Sequence, residues 1–195
     1  MKKVFKVLGW IFAVFIILGI ISSFGGDEQS SSTQQEPSST QQQSDTTTET
    51  LKGTVSQLNA LAKAKMYLET MPFSENGLIK QLESEGFSKE DATFGVTNLG
   101  TNWSEQAVRH AKNYLETMPF SEKGLAKQLE SEGYSETDAL NGAKSSEANW
   151  NEQAAKHAKN YLETMPFSKK ELITQLESEG YTKEQATYGV KQTGL

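Results

Sequence analysis

The chain has 195 residues, no cysteine and a formal net charge of −6 at pH 7. Without cysteine it can form no disulfide, no thiolate nucleophile and no cysteine-based metal site. The acidic balance argues against nucleic-acid binding, which needs lysine and arginine to neutralise phosphates. A basic protein partner remains compatible with this charge.

Residues 1–26 have the pattern of a membrane signal. Lys2, Lys3 and Lys6 precede residues 7–24, a stretch that is nearly all apolar and carries no charge. As a helix, this stretch would be about 27 Å long, close to the thickness of the hydrocarbon core of a bilayer. Because the lysines lie only on its amino-terminal side, the pattern predicts a single-pass signal anchor with a cytoplasmic N-terminus and an extracellular remainder. A cleaved secretory signal is the alternative, since small residues follow the apolar run.

Residues 27–52 are rich in serine, threonine and glutamine and contain almost no large apolar side chain. Such a composition cannot bury enough apolar surface to offset the entropy lost on ordering. We therefore predict a disordered linker between the membrane and the rest of the chain.

The remainder consists of three copies of one sequence unit. The string YLETMPFS occurs at residues 67–74, 114–121 and 161–168, and QLESEG occurs at 81–86, 128–133 and 175–180. A period of this size usually corresponds to one supersecondary unit per copy. We assign residues 53–100 to repeat 1, residues 101–148 to repeat 2 and residues 149–195 to repeat 3.

Each copy is predicted to contain three helices, which makes the fold class all-α with three tandem helix-turn-helix-like repeats. The first helix follows from apolar residues spaced at three and four positions, over residues 60–71, 103–118 and 150–165. Trp103 and Trp150 begin the first helices of repeats 2 and 3, and we expect them to pack between neighbouring repeats.

The YLETMPFS string predicts a corner between the first and second helices. Its proline ends the first helix, its phenylalanine packs next to the start of the second helix, and its serine is the N-cap. In repeat 3, Ser168 and Glu171 also match a capping box. The glycine that closes QLESEG predicts the end of the second helix in a left-handed conformation. These residues are Ser74, Ser121 and Ser168 at the start, and Gly86, Gly133 and Gly180 at the end.

The third helices are predicted to start at Ser88, Ser135 and Thr182, which are N-cap residue types. A glycine recurs in the middle of each, at positions 95, 142 and 189. Glycine inside a helix costs about 1 kcal/mol relative to alanine. Its recurrence indicates a close approach between two helices.

No pattern in the sequence indicates a catalytic centre, a cofactor site or a metal site. His110 and His157 occupy equivalent positions, but no second ligand lies at metal-binding spacing. The glutamates of QLESEG lie near helix C-termini, where the helix dipole disfavours negative charge. Since no local stabilising role is evident, we predict that they form a partner-binding face; the alternative is that they recur only because the copies are nearly identical. The six residues are Glu83, Glu85, Glu130, Glu132, Glu177 and Glu179.

The repeat pattern over residues 55–195, with its aromatic–serine cap and its QLESEG turn, resembles the Ltp-type repeat of host cell surface-exposed lipoproteins. The resemblance implies compact helical modules displayed outside the membrane of a Gram-positive bacterium. It also implies superinfection exclusion, in which an acidic surface engages the tape measure protein of a second phage and blocks DNA injection. This chain lacks the lipobox cysteine of a lipoprotein, so we expect the transmembrane segment to replace the lipid.

These observations together predict a membrane-anchored, surface-exposed binding protein that is not an enzyme and needs no cofactor. The predicted partner is a protein, for which a phage tape measure protein is one candidate. The alternative is a cell-envelope module that binds wall polymer or a host surface protein.

Overall fold

The structure is a computed structural model that describes residues 52–195. The predicted anchor and all but the last residue of the predicted linker lie outside this range, so both stay predictions. Among the described helices, none has the length and apolar character needed to cross a membrane.

Residues 52–195 form nine helices and no strand, which confirms the all-α prediction. Each repeat contributes three consecutive helices, joined by short turns. In chain order they are α1 Val55–Thr70, α2 Glu75–Ser84, α3 Lys89–Thr97, α4 Trp103–Thr117, α5 Glu122–Ser131, α6 Glu136–Lys144, α7 Trp150–Thr164, α8 Lys169–Ser178 and α9 Lys183–Lys191.

Each repeat has a hydrophobic core of its own. Two leucines of the second helix lie at the centre of this core, where they are fully buried together with alanines of the first and third helices. The leucine pairs are Leu78 and Leu82, Leu125 and Leu129, and Leu172 and Leu176. Because the apolar positions recur with the sequence period, the three cores are built in the same way.

The first and third helices of each repeat approach closely at the recurrent glycine. A Cβ built on Gly142 would lie 2.9 Å from the carbonyl carbon and from the Cβ of Ala107. Real Cβ atoms do not come this near to another backbone, so alanine at this position would force α4 and α6 apart. The close helix–helix approach predicted from the glycine pattern is confirmed.

The predicted helix boundaries are confirmed at both ends of the second helices. Ser74, Ser121 and Ser168 are N-caps whose hydroxyls accept from a backbone N–H three residues on. The capping box of Ser168 and Glu171 is present. At the other end, Gly133 has a φ of 94°, and the N–H of Tyr134 donates to the carbonyl of Leu129, as the left-handed end predicts.

The first helix of repeat 1 begins earlier than expected. α1 starts at Val55, whereas the apolar pattern placed its start near Ala60. Thr54 caps it, and the Gln57 side chain accepts from the Thr54 N–H, which completes a capping box. The apolar spacing missed this turn because the first turn of α1 carries capping residues and exposed side chains rather than buried ones.

Consecutive repeats meet at a boundary that we call the seam. Trp103 of repeat 2 packs against the core of repeat 1, and Trp150 of repeat 3 packs against the core of repeat 2, as predicted. Arg109 adds a hydrogen bond of 3.2 Å to the carbonyl of Leu68. The seams therefore join the three small cores into one array over residues 52–195.

Candidate functional site

A hydrogen-bonded group of three side chains recurs in every repeat, and we call it the polar cluster. In repeat 2 it consists of Tyr114, Gln128 and Glu132. The Tyr114 hydroxyl donates to Glu132 Oε1 at 2.5 Å, and Gln128 Nε2 donates to the same oxygen at 2.9 Å and to the tyrosine oxygen at 3.2 Å. The cluster thus fastens the first helix to the C-terminal end of the second.

Repeats 1 and 3 contain the same arrangement. In repeat 3, Tyr161 donates to Glu179 Oε1 at 2.7 Å, and in repeat 1 Tyr67 donates to Glu85. Burial raises the pKa of Tyr114 and of Tyr161, and the neighbouring glutamate raises each further. The tyrosines consequently remain protonated near neutral pH and act as hydrogen-bond donors.

A histidine extends the polar cluster in repeats 2 and 3. The His110 ring stacks on Tyr114 with a centroid distance of 4.9 Å, and its Nδ1 lies 3.3 Å from the Tyr134 hydroxyl. Burial lowers the pKa of His110, and the charge of Glu132 partly opposes this shift. In repeat 1 the equivalent residue is Lys63, whose Nζ forms an ion pair of 3.1 Å with Glu85.

The polar cluster divides the six predicted binding glutamates into two groups. The second glutamate of each QLESEG, at positions 85, 132 and 179, is the C-cap of its helix and accepts hydrogen bonds inside its own repeat. The expectation that these three lack a local stabilising role is therefore wrong. Their hydrogen bonds offset the unfavourable position at the helix C-terminus.

The first glutamate of each QLESEG has different surroundings. Glu130 and Glu177 are exposed and Glu83 is half-buried. Within residues 52–195, no side-chain hydrogen bond or ion pair engages any of the three. The glutamates of YLETMPFS, at positions 69, 116 and 163, are likewise exposed and unengaged within the described residues. We call these six residues the free acids.

A second recurrent contact lies at the seam and was not predicted from the sequence. Ser74 Oγ donates to the backbone carbonyl of Glu132 at 2.5 Å, and Ser121 Oγ donates to that of Glu179 at 2.6 Å. Each serine hydroxyl thus caps its own helix and also binds the helix end of the next repeat. Asn76 Nδ2 adds a contact of 3.2 Å to the carbonyl of Gly133.

The sequence does contain a signal for this contact. The third residue of the second helix is Gly77 in repeat 1 and Gly124 in repeat 2, but Glu171 in repeat 3. A Cβ on Gly124 would lie 3.2 Å from the Glu179 carbonyl oxygen and 2.9 Å from Ser121 Oγ, so the seam leaves it little space. In repeat 3 the Ser168 hydroxyl donates instead to Glu171, at 2.6 Å, and is exposed.

The arrangement offers no candidate metal centre. In the part of the chain that the structure describes, no group of three histidine, aspartate or glutamate side chains could hold a metal ion. Among the described glutamates, hydrogen bonds lower the pKa of Glu171 and of Glu184. Over residues 52–195, acidic side chains outnumber basic ones.

Comparison with known proteins identifies the family. The family model described as host cell surface-exposed lipoprotein matches residues 56–99, 102–140 and 149–192. The chain belongs to this family. Each match falls within one predicted repeat, so the repeating unit of the family corresponds to the three-helix repeat.

Two further comparisons were with solved structures and with curated proteins. The solved structure of Ltp, a superinfection exclusion protein from the Streptococcus thermophilus temperate phage TP-J34, is 28% identical, with 48% of this chain and 97% of that chain covered and a TM-score of 0.46. A search of curated proteins finds no match. The family name refers to a lipid-bearing protein, whereas this family member has no cysteine to carry a lipid.

Proposed function

We propose that this family member is a membrane-anchored binding protein displayed on the outer surface of a bacterial cell. Its repeats capture a basic segment of another protein through the free acids. The tape measure protein of an incoming phage is the partner that we favour, and its capture would prevent DNA injection. In this function the chain catalyses no reaction.

The observation that carries the proposal is the recurrence of the free acids on an array held together by seams. Each of the three repeats carries the same two exposed or half-buried carboxylates at equivalent places, and neither has a partner among residues 52–195. A partner that binds several repeats gains affinity by multivalency, because the second contact is intramolecular once the first has formed. Complementary charge also raises the rate of encounter.

The carboxylates give little support to an enzymatic function. A general acid of the glycosidase or protease type needs a carboxyl group whose pKa is raised by burial or by a second carboxylate. Among the described residues, the carboxyl groups whose pKa is shifted are exposed at helix starts, and the shift is downward. Binding is the function that exposed, ionised carboxylates serve without further machinery.

The test uses a triple charge reversal, Glu83→Lys, Glu130→Lys and Glu177→Lys, in the full chain expressed in a host cell. Phage adsorption and DNA entry are measured separately. We expect the parent chain to reduce DNA entry while adsorption is unchanged, and the variant to lose this protection. Lysine near a helix C-terminus is favoured by the dipole, by roughly 0.3–1 kcal/mol, so the variant should remain folded.

The matched control reverses three exposed acids in the first turns of other helices, Glu90→Lys, Glu105→Lys and Glu152→Lys. It changes the net charge by the same amount and should keep protection. If both variants lose protection equally, the overall charge of the chain matters and the position of the free acids does not. Normal DNA entry with the parent chain across a phage panel would contradict exclusion, and retention of the chain on purified cell wall would then favour the cell-envelope alternative.

A further inference from the structure

The first helix of repeat 1 carries an exposed apolar stripe. Val55, Leu58, Ala62 and Met66 lie at intervals of three and four residues, which places them on one face of α1. Val55 is 78% exposed and Met66 62% exposed. We call these four residues the α1 stripe.

The other two repeats do not share this stripe. At the four equivalent positions, repeat 2 has Asn102, Glu105, Arg109 and Asn113, and repeat 3 has Asn149, Glu152, Lys156 and Asn160. Every apolar residue of the α1 stripe is therefore replaced by a polar or charged one. The three repeats have the same fold, so folding of a repeat does not require the stripe. The stripe is therefore a feature of the first repeat in the array.

The stripe lies on the side of repeat 1 that has no preceding repeat in the described structure. In repeat 2, Trp103 and Arg109 make the contacts with the preceding repeat, and their equivalents in repeat 1 are Ser56 and Ala62. Terminal repeats of an array normally present polar outer faces. Repeat 3 follows this rule at its own end with Ser168, Lys170 and Glu171, whereas repeat 1 departs from it.

The charge around the stripe also differs from that of the array. Residues 52–70 contain Lys52, Lys63 and Lys65 and one acid, Glu69. The equivalent segment is balanced in repeat 2, over residues 99–117, and acidic in repeat 3, over residues 146–164, and residues 71–195 carry an excess of acids. A partner of the α1 stripe should therefore combine an apolar interior with negative surface charge. A second copy of this chain would bring lysines of two α1 helices together and fits less well.

We propose that the α1 stripe docks on a membrane surface rich in anionic lipid, so that α1 lies in the headgroup region with Lys52 and Lys65 near lipid phosphates, while Lys63 keeps its ion pair with Glu85. The inference rests on the membrane attachment given in the proposed function. Only 30 residues separate Phe24, at the end of the predicted anchor, from Val55. Such a connection holds α1 at a high effective concentration near the lipid, so a short stripe with few lysines is sufficient. Docking fixes which face of the array points away from the cell.

The absence of cysteine makes the test direct, because a single introduced cysteine can be labelled without background. The variant Met66→Cys, in the full chain, carries an environment-sensitive fluorophore and is reconstituted into phosphatidylglycerol or phosphatidylcholine vesicles. Brominated lipids then report contact between the label and the bilayer by quenching. We expect a blue-shifted emission and severalfold stronger quenching in the phosphatidylglycerol vesicles, with both effects weakened by salt.

The matched control places the same label at Leu140→Cys, on α6 of repeat 2, where the native side chain is 53% exposed. Its emission should be the same in both lipids. Val55→Asn, Leu58→Glu and Ala62→Arg, which introduce the residues of repeat 2, should weaken quenching of the label at position 66 about tenfold. The tenfold ratio compares the quenching of the labelled parent chain with that of the labelled triple variant in the same vesicles.

Two results would overturn the proposal. One is equal quenching at positions 66 and 140; the other is a shift at position 66 that follows protein density instead of lipid type, which would indicate a second copy. Flotation of the vesicles reports the anchor independently. A chain that does not float with the vesicles contradicts the predicted anchor. In that case the chain is attached to nickel-chelating lipid through an amino-terminal histidine tag, and the same two labels test whether the α1 stripe contacts the bilayer.

Discussion

Replacing Ser121 by alanine should cost more stability than replacing Ser168, although both serines cap equivalent helices. Loss of an N-cap hydroxyl costs about 1 kcal/mol. Ser121 Oγ also donates to the Glu179 carbonyl, at 2.6 Å, and Ser121 is buried, so its loss leaves that carbonyl without its partner. An unsatisfied polar group of this kind costs a further ~1–2 kcal/mol. The expected totals are about 2–3 kcal/mol for Ser121→Ala and about 1 kcal/mol for Ser168→Ala.

Urea unfolding followed by far-ultraviolet circular dichroism measures the difference. In a repeat array, stability combines the stability of each repeat with the coupling between neighbours. Ser121→Ala should therefore also broaden the transition, because it weakens the coupling of repeats 2 and 3. Equal costs for the two variants, with equally sharp transitions, would refute the view that the serine hydroxyl couples adjacent repeats.

Two further predictions concern the interior of a repeat. Gly142→Ala should destabilise the chain by about 1–3 kcal/mol in the same assay, since the new Cβ would lie 2.9 Å from the backbone of Ala107; a gain near the 1 kcal/mol of helix propensity would contradict the close approach. Stability should also fall as the pH drops below 6.5, because burial lowers the pKa of His110 and of His157 and the unfolded chain takes up protons more readily. His110→Asn with His157→Asn should flatten thermal-denaturation midpoints between pH 7 and about 5, and an unchanged slope would exclude these histidines as its cause.

Much of the fold follows from local sequence. Proline, an N-cap serine and a terminal glycine each act within a few residues, so the corner in YLETMPFS and the helix end in QLESEG were predictable. The start of α1 was missed because Thr54 and Gln57 act through their side chains and leave no trace in the apolar spacing. The prediction that Trp103 lies at the seam is confirmed, because it packs against the core of repeat 1.

The candidate site was predicted only in part. Spacing along one helix places Glu130 and Glu132 in the same acidic run, but their partners come from elsewhere in the repeat. Tyr114, which binds Glu132, lies 18 positions earlier in the chain, and this pairing depends on how the helices cross. The double role of Ser121 joins residues 58 positions apart and belongs to the same class of tertiary contact. Such contacts appear once the helices are assembled.

The seam has a consequence for how chains of this kind change length. Its recurrent hydrogen bond joins a serine hydroxyl to a backbone carbonyl, and every residue offers the same carbonyl. The requirement on sequence is small: glycine at the third helical position, as at Gly77 and Gly124. Duplication of repeat 2, which has both the seam tryptophan and Gly124, would therefore yield a longer array without compensating substitutions. The length of the array and the number of polar clusters and free acids would both change in one genetic event.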